Sequence, residues 1–119
     1  MSSNVVNHIW HSDSVTGDII AVNIYDGRGL LLEVTGENTS GADIYVQIFD
    51  LAAIPADAHA TDMIFSPVRV GAGERFEFSF TEEDDIYTVN GLVICASSTQ
   101  YTKTAVLAGS MELTVRYKK

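Results

Sequence analysis

Apolar and polar residues alternate along most of this chain in short runs, and the runs are separated by turn-forming residues. Successive side chains of a strand point to opposite faces, so the alternation predicts strands near 5–10, 18–25, 30–36, 43–50, 64–70, 75–80, 90–97 and 111–117. The clearest lies at 75–80, where Phe76, Phe78 and Phe80 fall on one face and Glu77 and Ser79 on the other. Met111, Leu113, Val115 and Tyr117 repeat the pattern against Glu112, Thr114 and Arg116. One face of each such strand is core and the other is wet. Asp26-Gly27-Arg28-Gly29, Gly36 to Gly41, Gly71-Ala72-Gly73 and Asn90-Gly91 supply the breakers between strands. Leu51 to Met63 fits neither strand nor helix. Pro55 interrupts a helix there, and the length suits an arch that carries the chain from one sheet to the other. With no helical period of any length, the expected fold is all-β. It is a two-layer antiparallel β-sandwich of about eight strands, jelly-roll or immunoglobulin-like in topology.

The length of 119 residues sets this up as a single domain over 1–119, large enough to hide roughly two-thirds of its unfolded surface without disulfides or metal. With 46% hydrophobic and 19% charged residues, intrinsic disorder is excluded. The 7 Lys and Arg against 16 Asp and Glu give a net charge of -9, the wrong sign for a protein whose task is to neutralise nucleic-acid phosphates. Cys95 stands alone in the apolar run Leu92 to Ala96, so no internal disulfide forms and a reducing site of synthesis is favoured. The first 27 residues contain no Lys or Arg, so the positive n-region of a signal peptide and the Arg-rich face of a transit peptide are both missing, and no apolar run approaches a membrane span. Asn38-Thr39-Ser40 matches the glycosylation sequon by letter and reads most simply as a turn.

Candidate chemistry is sparse. His8 and His11 flank Ile9-Trp10, but residues three apart in a strand face opposite ways and cannot share an ion. His59 has Asp57 and Asp62 nearby in the arch and reads as a solvated loop histidine. Glu82-Glu83-Asp84-Asp85 is oxygen-rich without the spacing of a calcium loop. Ser97-Ser98-Thr99 has no His or carboxylate beside it, and Cys95 lies among aliphatic neighbours, as an inert buried thiol would. No catalytic set, cofactor site or metal site is expected, and the chain reads as a non-enzyme. Three strands are apolar on both faces: Leu30-Leu31-Leu32, Ile44 to Phe49, and Leu92 to Ala96. Either long loops such as 51–63 cover their second face, or another protein chain does.

From Asp43 onward two stretches carry a resemblance. Ile44-Tyr45-Val46-Gln47-Ile48-Phe49-Asp50 runs through Pro55 and Pro67 to Val70-Gly71-Ala72-Gly73 and the Phe76/Phe78/Phe80 strand. Gly91 to Thr99 follows, closed by Val115-Arg116-Tyr117. The combination is similar to small all-β structural proteins of tailed-bacteriophage virions, of the head decoration and fibre type. It implies a virion protein made in the host cytoplasm, a capsid decoration or head-fibre component acting through protein–protein contacts. The implied partners are a major capsid or other virion protein and further copies of itself, a trimer by family analogy, with no cofactor, nucleic acid or membrane. The rival class is a carbohydrate-binding β-sandwich module, which would display coplanar aromatics, whereas one Trp and five Tyr are available. Val5, Val6, Ile9 and Trp10, ahead of the matched region, are the candidate protein-contact residues. They form a strand that either closes the sandwich edge or reaches onto a neighbour.

Overall fold

The computed structural model describes residues 7–12, 21–64, 66–80, 86–104 and 111–119. They form nine strands: β1 (Asn7–Ser12), β2 (Ala21–Asp26), β3 (Gly29–Asn38), β4 (Ile44–Phe49), β5 (Val68–Val70), β6 (Arg75–Ser79), β7 (Tyr87–Thr88), β8 (Gly91–Ser97) and β9 (Met111–Lys118). All pairings are antiparallel, and no helix occurs among the described residues. One sheet has the order β1-β9-β3-β6, with β7 also pairing β3; the other has the order β2-β8-β4-β5.

These orders decide the topology. β1 pairs β9, β2 pairs β8, β3 pairs β6 and β7, and β4 pairs β5, so the first half of the chain pairs with the second in nested order. A long hairpin rolled into two sheets in this way is a jelly roll.

The alternation read from the sequence is realised in the core. Val34, Leu113, Val115, Ile44, Val46, Ile48, Leu92 and Ile94 are all buried between the sheets, and Phe76 joins them with Phe78 and Phe80 packed alongside. Each such aliphatic side chain contributes about 1.5–3 kcal/mol by leaving water. The opposite face of the first sheet is polar, with Glu33, Thr35 and Glu37 of β3 opposite Arg116, Thr114 and Glu112 of β9.

Several local expectations are corrected by this arrangement. The strand expected at 64–70 shrinks to Val68–Val70, since Pro67 has no N–H to give a ladder. Gly36 sits inside β3, not in the turn after it; a Cβ there would meet the Glu112 carbonyl and the Phe76 ring, which lies over the glycine. Asn90-Gly91 and Asp26 to Gly29 are corners between the sheets, not hairpins within one, and Gly27 N–H donates to the Asn90 carbonyl at 2.7 Å. The 51–63 arch does the reverse of what its length suggested: it returns the chain to the same sheet, since β4 and β5 are neighbours.

That arch also accounts for two of the three two-sided apolar strands, β4 and β8. Tyr45, Gln47 and Phe49 alternate with the core residues of β4, and Val93 and Cys95 do so on β8. Phe49, Val93 and Cys95 form a second, smaller cluster with Leu51 and Met63 of the arch. Ala58 N–H donates to the Lys103 carbonyl (2.7 Å) and Lys103 N–H to the His59 carbonyl (2.8 Å), pinning the arch against the 98–104 loop. The chain's own loops therefore cover the outer face of β4 and β8, leaving Ile54 of the arch and Tyr101 of the 98–104 loop exposed.

Candidate functional site

The N-terminal strand is the natural place to look for a contact. β1 pairs β9 through all six of its residues, from Asn7 opposite Lys118 to Ser12 opposite Leu113. The strand thus closes the edge of its own sheet. Val5 and Val6 lie outside the described residues. Ile9 and Trp10 are separated by the pleat: Trp10, opposite Val115, packs on the core, while Ile9 projects the other way and is 70% exposed. Of the candidate contact residues, Ile9 presents its side chain to solvent and Trp10 serves the fold.

His8 and His11 behave as strand geometry requires. The His8 ring stacks on Tyr117 at 5.1 Å, and His11 Nδ1 meets the Thr114 hydroxyl at 2.5 Å on the opposite face. His59 Nε2 is 3.6 Å from Asp62, and its ring meets Phe49 edge-on at 5.7 Å. Asp57 is drawn away from it by Lys103, whose Nζ donates at 2.6 Å. Among the described residues no three His, Cys, Asp or Glu converge as metal ligands. Glu82 to Asp85 lie outside the described residues.

Cys95 is fully buried, and burial pushes its thiol up to about 12, with Lys103 opposing and Asp57 adding to the shift. A thiol so held is not a nucleophile. Ser97 is equally committed: its hydroxyl donates to the Thr102 carbonyl at 2.9 Å and accepts from Thr99 N–H (3.1 Å) and Thr104 N–H (2.9 Å).

Three polar residues organise the loops: Asn38, read from the sequence only as part of a turn, and Gln47 and Asp50, to which sequence reasoning gave no role. Asn38, fully buried at the end of β3, donates to the Ala42, Val70 and Gly71 carbonyls and accepts from Ser40 N–H and Oγ. Gln47, fully buried, donates from Nε2 to the Thr99, Gln100 and Thr102 carbonyls, while its Oε1 is buried without a partner. Asp50 Oδ1 accepts from the Val89, Asn90 and Gly91 amides at 2.8–3.3 Å, fixing the corner into β8. For Gln47 and Asp50 the visible sign was a polar residue inside, or at the end of, an apolar run; Asn38 carried no such sign.

One open groove of about 440 Å³ runs over the polar face of the first sheet, lined by Thr35, Gly36, Arg75, Glu77, Glu112 and Thr114, with the buried Phe76 at its floor. Its chemistry is hydroxyls, carboxylates and one guanidinium, and Arg75 Nε lies 3.4 Å from Glu37.

No family model matches the sequence, and no curated protein matches it. Among solved structures, the coat protein of Tobacco streak virus, a viral capsid protein, aligns over 100% of this chain and 89% of its own, at 11% identity and a TM-score of 0.42. At that score the likeness carries no argument about function.

Proposed function

We propose that this chain is a non-enzymatic structural protein of a virion, a capsid decoration or head-fibre component that works through protein–protein contacts. The observation that carries the reading is the nested jelly-roll pairing combined with an edge strand that lacks Lys, Arg, Asp and Glu and bears a bare Ile9. Viral capsid domains use this roll, but lectins and cupins do too, and a fold alone does not choose among them. The edge strand and the resemblance of residues 43–119 to phage virion proteins tilt the choice. On this reading the chain is made in the host cytoplasm and ends in the virion, against a major capsid or other virion protein. No cofactor, nucleic acid or membrane takes part. Purified virions analysed by mass spectrometry should contain the chain, and the recombinant protein should pellet with capsids. Its absence from both would overturn the reading.

The groove over the first sheet favours one rival, carbohydrate binding, because hydroxyls and carboxylates are the groups that recognise sugar hydroxyls. Phe76 beneath it is buried, so the groove lacks an exposed aromatic platform. A glycan array with no binder leaves the structural role standing. A binder lost on Thr35→Ala together with Glu112→Ala would move the function to the groove.

A further inference from the structure

Among the described residues, β1 on one side and β6 with the two-residue β7 on the other bound the first sheet, and β2 and β5 the second. An exposed sheet edge is a template for further strands, and proteins guard such edges with charge, irregularity or shortness. β5 is three residues long and carries Arg69, ion-paired to Asp43 at 2.6 Å. β6 carries Arg75 and Glu77, both exposed. The ladder of β2 with β8 shifts register between Asn23 and Tyr25, and β2 ends in Asp26. β1 has none of these devices. It runs six residues in unbroken register and contains no Lys, Arg, Asp, Glu or Pro. Its Ile9 is the most exposed large hydrophobic residue among the described ones.

We infer that β1 is the seam through which two copies of this chain pair edge to edge, antiparallel about a two-fold axis at Ile9, joining their β1-bearing sheets into one. A second copy fits this edge on two counts. Each copy carries a net charge of -9, and the polar face of the sheet displays Glu33, Glu37, Glu77 and Glu112 against Arg75 and Arg116, so contact there sets two acid-rich faces against each other. The β1 edge, free of acidic side chains, avoids that repulsion. Residues directly opposite in an antiparallel pair share a face, and an axis at Ile9 sets Ile9 against its own counterpart. Trp10 then lies opposite His8, again on one face, so the strand is complementary to itself.

The inference adds a self-contact to the structural role proposed above and is tested apart from it. Sedimentation equilibrium should give a species of twice the 12.9 kDa chain. Ile9→Lys, which sets two ammonium groups face to face, should raise the dissociation constant roughly tenfold or more. In a Cys95→Ala background, Ile9→Cys should cross-link copies under mild oxidation, since opposite Cβ atoms in a ladder lie about 4.5–5.5 Å apart. Glu77→Cys, on the far edge, should not. A chain monomeric at every concentration, or equal cross-linking by the two cysteine variants, overturns the pairing. A monomer that still pellets with capsids removes the pairing and leaves the virion role; a dimer that stays in the supernatant does the opposite.

Discussion

Asn38 joins the end of β3 to the β5–β6 corner through a single amide, and its partners Val70 and Gly71 are 32 and 33 residues away. Truncating it strands buried carbonyls, so Asn38→Ala should lower stability by about 2–3 kcal/mol, read as a lower urea midpoint with unchanged slope. An unchanged midpoint would show the network to be dispensable. The same burial makes the sequon at Asn38 unavailable to modification in the folded chain. No local pattern reveals such a residue, because its worth depends on carbonyls brought close by the fold. Cys95 was legible for the opposite reason, since its burial follows from the letters on either side. Its consequence is a pH dependence. The folded thiol stays protonated up to about 12, whereas the unfolded one ionises from its ordinary value of 9.0. The unfolded state therefore holds fewer protons above pH 9, and this stabilisation, complete below that pH, is lost as pH rises toward 12. Burial raises the Tyr25 hydroxyl in the same sense, against its 2.7 Å hydrogen bond to Thr88. Cys95→Ala should flatten the alkaline fall in melting temperature without removing it, and the native thiol should react slowly with thiol reagents. An identical alkaline profile in the variant would rule this account out.

Strands with a wet face were the easiest elements to read, because one buried face forces strict alternation: β6 and β9 emerge much as their letters predict. Elements set by tertiary pairing were not. β7 is two residues long and exists through its pairing with Gly29 and Leu30. Gly36 looks like a breaker and is a strand residue made habitable by the Phe76 ring. β1 shows what an edge element is worth to the fold. Removing residues 1–12 deletes the six-residue ladder on β9 and the Trp10 contact with the core. Losing that indole contact alone removes about 2 kcal/mol, so the melting temperature should fall by roughly 10 °C, measured by circular dichroism. If the truncated chain melts with the full one, β1 is an appendage and not part of the sandwich.

For the molecule as a whole, composition and periodicity were enough to reach a two-layer β-sandwich, yet they left jelly-roll and immunoglobulin-like topologies level. The difference lies in which strand meets which across most of the chain length, as with Asn7 opposite Lys118, and alternation says nothing about partners. The two-sided apolar character of β4 and β8 was visible in the sequence too, but not that the arch and the 98–104 loop would cover them. Nested pairing has a temporal side as well. β8 is the strand between β2 and β4, and β9 is the strand between β1 and β3, so the last two strands of the chain are the central strands of both sheets. Until they arrive, β1 and β2 have no neighbours at all, and only β3 with β6 and β7, and β4 with β5, can zip. Residues 1–110, which lack β9, should therefore show no cooperative unfolding transition, and a cooperative one would contradict this. A nascent chain carries an incomplete sandwich until β9 has been made, and the protein becomes itself in one late, long-range closure on the slow time scale of non-local β folds.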